Sequence, residues 1–299
     1  MDDKPLGLLT MRKPFTKMSR VSVPVDHHYL PQFYLRRWTR GGRLYRYVRP
    51  VIGGPVHQKR VSPAAIGYER DLYAYSTGTT EASRQRLERD FFQKIDDRAA
   101  SAFAKIESLS QGSALERVGL VQFLLSLMHR SPSRLAHFRD DLSARMADVP
   151  SFDPLNNEHQ NLVRDQTNDL LTDLISSDET IPILVRMKVY HVPIRSPDKL
   201  MTGDLPLMMS DGIARPDAFL MLPYAPDKLI ILAHDETAAL AFSTQDQNAL
   251  VHALNDAVVR QARQVVIACD ASSRPLIEEH FDPFGEPVGG DGYLRWKVP

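Results

Sequence analysis

The sequence has almost no cysteine, no apolar run of membrane length and no net charge. Cys269 is the only cysteine among 299 residues, which excludes internal disulfides and a zinc site made of several cysteines. The apolar run Leu229–Ala233 is far shorter than the roughly 20 residues that span a bilayer. Basic and acidic residues number 37 each, so any electrostatic function depends on local clusters of charge. Since no signal-peptide pattern precedes residue 26, we expect a cytoplasmic protein without membrane attachment.

Several signatures of nucleotide binding and hydrolysis are also missing. The chain contains no Gly-x-x-x-x-Gly-Lys-[Ser/Thr], Gly-x-Gly-x-x-Gly, Gly-x-Ser-x-Gly or His-Glu-x-x-His. These absences argue against an ordinary ATPase, a Rossmann dehydrogenase, an α/β-hydrolase and a zincin. The sequence therefore indicates no particular cofactor, and no metal-ligand spacing is recognisable in it.

The apolar pattern predicts an α+β protein whose helical middle, about residues 80–177, packs with a mixed or antiparallel sheet of N-terminal and C-terminal strands. Residues 1–25 are expected to be a flexible tail, and 26–299 a single domain. The predicted helices cover about 29–38, with Asp26 as cap, and about 80–109, 114–130, 132–147, 156–177 and 246–263. The predicted strands cover about 44–48, 71–75, 184–192, 206–209, 219–222, 229–233, 265–268 and an edge strand at 293–296.

The segment between Asp26 and Glu69 is rich in positive charge and has no acidic residue. Its cations are Arg36, Arg37, Arg40, Arg43, Arg46, Arg49, Lys59 and Arg60. Aromatic residues are interleaved with them, as expected for a surface that binds phosphates and stacks on bases. The alternative is a solvated face whose arginines pair with acidic residues of the next helix. Those acidic residues are Glu81, Glu88, Asp90, Asp96 and Asp97.

Four short motifs resemble elements of domain-of-unknown-function family 4238, which is uncharacterised. The stretch His28–Trp38 resembles its N-terminal signature, and Arg130–Pro132 is similar to its Arg-Thr-Pro element with Ser131 in place of threonine. Thr202–Pro206 resembles its Thr-Ser-Asp-x-Pro element, and Leu222–Pro226 resembles its proline-containing turn. Asn255 falls where the family has an asparagine in a late helix. The resemblance implies occurrence in bacteria and no established activity.

Three residues of these motifs are candidates for catalysis. His28 suits general acid–base chemistry, Arg130 suits phosphate stabilisation, and Asp204 suits a base or a metal ligand. Each also has a structural interpretation. His28 could hydrogen-bond the start of a helix, Arg130 could neutralise helix C-terminal carbonyls, and Asp204 could form an Asx-turn.

Two hypotheses follow from these residues. The first is nucleic-acid or phosphate-ligand binding, with phosphodiester hydrolysis as an extension, in which Arg36 and Arg37 hold phosphate and Tyr34 and Asn255 support the site. The second is a non-catalytic protein-interaction module, which requires a contiguous exposed apolar patch. The hydrolysis hypothesis further requires His28, Arg130 and Asp204 to line one hollow.

Overall fold

A computed structural model describes residues 25–110, 112–286 and 295–296. The helices are α1 (Gln32–Leu35), α2 (Glu81–Arg84), α3 (Gln93–Glu107), α4 (Ala114–His129), α5 (Pro132–Met146), α6 (Asn157–Ile175), α7 (Thr180–Arg186), α8 (Thr237–Thr244), α9 (Gln247–Gln261) and α10 (Arg274–His280). The strands are β1 (Asp26–His28), β2 (Leu44–Val48), β3 (His57–Val61), β4 (Tyr68–Arg70), β5 (Lys188–Pro193), β6 (Thr202–Gly203), β7 (Met208–Met209), β8 (Phe219–Ala225), β9 (Lys228–Ala233) and β10 (Val266–Ala268). A π-helical turn, Leu87–Phe92, leads into α3.

The strands form antiparallel sheets, and one sheet joins the two ends of the chain. Strands β1 and β4 pair with each other, and a second sheet has the order β5-β9-β8-β7. The third sheet has the order β3-β2-β10-β6. The C-terminal β10 therefore lies between β2, from the N-terminal part of the chain, and β6, from its last third. This sheet confirms the predicted α+β fold, in which N-terminal and C-terminal strands share a sheet beside a helical middle.

Helix α4 and strand β8 lie at the centre of the core. Every residue of β8 is buried, and α4 is buried on most of its circumference from Gly119 to Leu127, as expected for a central helix. Helix α3 packs closely on α4 at Gly119, where an added Cβ would lie 2.4 Å from the Cβ of Arg98. The core thus brings the middle helices against strands that come from the last third of the chain.

The first predicted helix and the second predicted strand are wrong in their bounds. Residues 26–28 form a strand, and the helix begins only after Pro31, because the ring of a proline disfavours helical backbone in the residue before it. Asp26 therefore does not cap this helix. The strand predicted at 71–75 lies instead at Tyr68–Arg70, and Asp71 adopts a left-handed conformation with φ 55° that ends it.

The helices predicted over 114–130, 132–147, 156–177 and 246–263 are confirmed within a few residues. The first three residues of the strand predicted at 184–192 are the end of α7, and β3, α8 and α10 were not predicted. Of the predicted edge strand, Arg295 forms a parallel bridge with Met209, whereas Tyr293 and Leu294 lie outside the described residues. The predicted tail up to residue 24 also lies outside them.

Among the helices that the structure describes, none is both long enough and apolar enough to cross a membrane.

Candidate functional site

A π-helical turn places Glu88 beside the end of β1. The backbone N–H of His28 donates a hydrogen bond to Glu88 Oε1 at 3.4 Å. The other carboxylate oxygen of Glu88 is buried and has no hydrogen-bond partner in the described protein. Short π-helical insertions are frequent at functional sites because they turn a side chain away from the regular helical spacing. We therefore take His28 and Glu88 as the centre of the candidate site.

Arg130, at the end of α4, is fully buried behind these two residues. Its Nε donates to the backbone oxygen of Tyr29 at 3.0 Å, and its two terminal nitrogens both approach Asp96 Oδ1 at 3.2 Å. The guanidinium also lies over the ring of Phe92, 5.2 Å from its centroid. These contacts occupy the guanidinium, so Arg130 holds the backbone directly after β1 and the carboxylate of Asp96 in place.

The cluster of His28, Glu88, Asp96 and Arg130 has groups that exchange protons near neutral pH. Burial raises the pKa of Glu88 to about 7, although Arg130 opposes the shift. Burial likewise raises the pKa of Asp96 to about 6 against the effect of the same arginine. Burial and the positive charge of Arg130 lower the pKa of His28. At neutral pH the imidazole is therefore a neutral proton acceptor, and the Glu88 carboxyl group, which bonds the backbone of the same residue, readily loses or gains a proton.

Asp204 makes its contacts with a different part of the chain. Its buried carboxylate accepts hydrogen bonds from the backbone N–H groups of Arg263, Gln264 and Val265, at 3.0–3.2 Å. Burial raises the pKa of Asp204, and the three N–H groups oppose the rise. The structure thus brings His28 and Arg130 together, whereas Asp204 fixes the turn between α9 and β10.

Tyr34 and Asn255 connect distant segments through buried hydrogen bonds. The hydroxyl of Tyr34 donates to the backbone oxygen of Pro223 at 2.7 Å and lies 2.6 Å from Thr202 Oγ1. The side chain of Asn255 accepts from the backbone N–H of Met201 and donates to the backbone oxygen of Lys199. Both residues therefore hold the segment before and through β6, which is distant from His28 in sequence.

The two arginines predicted to bind phosphate have different environments. Arg37 forms an ion pair with Glu107 at 2.6 Å, and its guanidinium lies over the rings of Phe103 and Tyr224. Arg36 is exposed and has no side-chain partner within the described part of the chain. Of this pair, only Arg36 has a free guanidinium for a ligand.

A second group of cations, which we call the hairpin cations, lies on strands β2 and β3 and directly before β2. It consists of Arg43, Lys59 and Arg60, which are exposed, and Arg46, which is half-buried. Arg46 and Lys59 are directly opposite each other on the two strands and thus share one face of the sheet. Arg60 lies opposite Tyr45 on the other face, with its guanidinium 5.5 Å from the centroid of that ring. Within the described residues, Arg43, Arg46 and Lys59 have no acidic partner, and β3 is the edge strand of its sheet.

With this geometry established, comparison with known proteins gives one match. A family described as "Protein of unknown function (DUF4238)" matches residues 26–272. The chain belongs to this family. No curated protein and no solved structure matches it.

The DUF4238 motifs identified in the sequence lie mostly where the fold is held together. Tyr34, in the first motif, forms hydrogen bonds with Thr202 of the third motif and with Pro223 of the fourth. Arg130, from the second motif, bonds the backbone of Tyr29, from the first. These motifs are therefore in direct contact with one another, and each contact joins residues more than 100 positions apart in sequence.

The sequence interpretation missed Glu88 and Asp96 as members of the site and treated them as solvated partners of surface arginines. One signal for them was present. Glu88, Phe92 and Asp96 are spaced by four residues, so on a continuous helix both carboxylates fall on the same face as a large apolar residue. A search of residues 25–110, 112–286 and 295–296 finds no cluster of three or more His, Cys, Asp or Glu side chains that could hold a metal ion.

Proposed function

We propose that this DUF4238 protein binds a phosphate-bearing ligand, namely single-stranded nucleic acid, on the surface formed by Arg36 and the hairpin cations. One observation carries the proposal. Arg36, Arg43, Arg46 and Lys59 have no acidic partner in the described protein, and the chain has no acidic residue between Asp26 and Glu69. Unpaired guanidinium and ammonium groups bind phosphate oxygens and release condensed counterions, which favours binding without sequence preference.

The arrangement of the hairpin supports a single strand over a duplex. Alternation along β2 and β3 directs Arg46 and Lys59 to one face and Arg60, above Tyr45, to the other. A flexible strand that passes along the free edge of β3 can contact both faces, whereas a stiff duplex contacts one. Tyr45 with Arg60 offers a flat, positively charged place on which a base can stack.

Fluorescence anisotropy with a labelled single-stranded RNA and the matching DNA tests this proposal. We expect the logarithm of the binding constant to fall linearly with the logarithm of salt concentration, by about 0.7 for each phosphate contacted. Four contacts would give a slope of about −3. The double variant Arg43→Glu/Lys59→Glu should bind at least about tenfold more weakly and show a smaller slope.

The control is Lys94→Glu, which reverses an exposed charge on α3 and should leave binding unchanged. If neither nucleic acid binds, or if the charge reversals on the hairpin have no more effect than Lys94→Glu, the proposal is wrong. The interaction-module hypothesis would then remain, together with the cytoplasmic location that accompanies both hypotheses.

The cluster around His28 favours a second candidate function, phosphodiester hydrolysis, in a form in which Glu88 replaces Asp204 and Arg130 has only a structural role. The specific observation is the buried, unpartnered oxygen of Glu88 on the π-helical turn, since the other oxygen of this carboxylate accepts from the backbone N–H of His28. In such a reaction one group takes a proton from the attacking water while another gives a proton to the leaving oxygen. A neutral imidazole and a carboxyl group with a pKa of about 7 suit these two roles.

A nuclease assay on labelled RNA and DNA tests this second function. We expect His28→Gln and Glu88→Gln each to lower the cleavage rate by about 100-fold or more, with unchanged circular dichroism. Asp90→Asn changes an exposed carboxylate on the same turn and should cleave at the wild-type rate. Cleavage that persists in both site variants, or that is absent from the wild type, would rule out hydrolysis here without affecting the binding proposal.

A further inference from the structure

We propose that a cleft between α3, α4 and β5 binds a small anion with an apolar body, of the class of alkyl carboxylates and alkyl phosphates. The cleft has a volume of about 530 Å³, within the range of small-molecule sites in proteins. It lies along β5, which is the edge strand of the β5-β9-β8-β7 sheet. None of the hairpin cations lines it, so this inference is independent of the proposed function.

The floor of the cleft is apolar. Ala102 and Ile106 of α3, Leu120 of α4 and Val189 of β5 line it. Burial of an alkyl or aryl group against these side chains is favourable by roughly 25 cal/mol for each Å² removed from water. The floor therefore selects a ligand with an apolar body over a bare ion.

The rim of the cleft is positively charged. Lys105, Arg117 and Lys188 line it, and neither lysine forms an ion pair within the described part of the protein. Glu116 is the one carboxylate among the described lining residues. Its two oxygens already accept hydrogen bonds from the hydroxyl of Ser101 and the backbone N–H of Ser113. The free lysines thus remain available for an anionic head group.

A histidine on the wall of the cleft offers a polar contact to such a ligand. The Nε2 atom of His191, a lining residue, is shielded from solvent and has no hydrogen-bond partner in the described protein. Its ring packs edge-on against Tyr224, with centroids 5.9 Å apart. Because buried polar atoms in folded proteins are nearly always hydrogen-bonded, a rotation of this ring that brings Nε2 to the head group of a ligand would supply the missing bond.

Calorimetric titration of the full-length protein with four probes tests the proposal. The probes are octanoate, octyl phosphate, 1-octanol and inorganic phosphate. We expect at least one octyl anion to bind at a single site. Neutral octanol and inorganic phosphate should each bind at least about tenfold more weakly than this anion. The comparison of the two octyl anions identifies the preferred head group.

Two variants locate the binding. Lys188→Glu should weaken binding of the preferred octyl anion by about tenfold, since it replaces attraction by repulsion at the rim. His191→Phe should also weaken binding of this anion, while the ring contact with Tyr224 is kept. Lys94→Glu is exposed on α3 outside the cleft and should have no effect. The proposal is wrong if octanol binds as well as the anions, if no anion binds the wild type, or if Lys188→Glu behaves as Lys94→Glu does.

Discussion

Single side chains connect parts of the chain that are far apart in sequence. Because the hydroxyl of Tyr34 donates its hydrogen to the backbone oxygen of Pro223, it must accept the hydrogen of Thr202. Both bonds are buried, and a buried hydroxyl or carbonyl that loses its partner costs more than the bond itself contributed. Tyr34 is therefore a residue at which the removal of one oxygen atom affects three segments of the fold.

Tyr34→Phe removes this oxygen and keeps the ring. We expect the free energy of unfolding to fall by about 1–3 kcal/mol, because Thr202 and Pro223 are left without a partner in the core. Urea denaturation monitored by fluorescence measures the change. Tyr45→Phe is the matched control, since the hydroxyl of Tyr45 makes no hydrogen bond within the described residues, and its effect should be below about 0.5 kcal/mol. Equal effects of the two variants would contradict the assignment.

Glu88 should make stability depend on pH. Its pKa in the folded protein is about 7, above the ordinary value of 4.5 for a glutamate, so between these values the folded form binds more protons than the unfolded form. Stability then falls as pH rises through this interval, and the raised pKa of Asp96 acts in the same direction. The other titratable or charged groups of the cluster, His28 with its lowered pKa and the cationic Arg130, remain in both the wild type and the variant below.

Glu88→Gln removes one proton-binding group from the cluster. We expect the loss of stability between about pH 5 and about pH 8 to be smaller in this variant than in the wild type by roughly 1–3 kcal/mol. Urea denaturation at the two pH values gives the difference. Asp90→Asn, an exposed carboxylate on the same turn, should not reduce the pH dependence. A wild-type stability that rises over this pH interval and is unaffected by Glu88→Gln would contradict the prediction.

At the scale of elements, the contact between α3 and α4 depends on a glycine inside a helix. Gly119 lies in the middle of α4, where alanine ordinarily stabilises a helix by up to about 1 kcal/mol. Here an added Cβ would lie 2.4 Å from the Cβ of Arg98 on α3, closer than two carbon atoms can approach. The helices would have to separate, and the loss of packing between them outweighs the gain in helix propensity.

Gly119→Ala should therefore destabilise the protein, by about 1–3 kcal/mol, as overpacked core positions do. Thermal unfolding followed by circular dichroism measures it. Gly112→Ala is the control next to the same helix, because its added Cβ would meet only the side chain of Glu116 at an ordinary distance of 3.5 Å. An increase in stability for Gly119→Ala would show that the two helices move apart at little cost.

At the scale of the whole molecule, the C-terminal β10 completes the N-terminal part of the fold. It pairs on one side with β2 and on the other with β6, so it is an interior strand of its sheet. Without β10, β2 and β6 lose the strand that both bond, and the buried side chains of Val266 and Ile267 leave the core. We accordingly propose that residues 26–299 fold as one domain.

A chain that ends at residue 261 tests this proposal, since it lacks β10 and α10 but keeps every helix of the predicted helical middle. We expect it to lose cooperative unfolding in urea and to have a near-ultraviolet circular dichroism spectrum without the native signals. A cooperative transition with native near-ultraviolet signals in the shortened chain would mean that the N-terminal and middle segments fold without the C-terminal strand.

The sequence by itself determined the α+β fold, the family and the positions of the long helices. Helix α6 follows from local apolar periodicity, α4 from a mostly apolar segment of helical length, and both from their caps, Asn156 and Ser113, which depend only on near neighbours. The burial of Cys269 was also predictable, because it follows a short apolar run. Short elements such as β3 and α10 lack these local signals and were missed.

The tertiary structure alone decided the partners of three charged residues in the DUF4238 motifs, namely those of Arg37, Arg130 and Asp204. Arg37 pairs with Glu107, Arg130 with Asp96, and Asp204 with backbone N–H groups of residues 263–265, each at a sequence distance of 34 residues or more. Whether a cation is free for a ligand or already paired depends on which distant segment packs against it. The protonation state of a carboxyl or imidazole group depends likewise on how deeply that packing buries it. Those are properties of three-dimensional packing, and no pattern within a short stretch of sequence contains them.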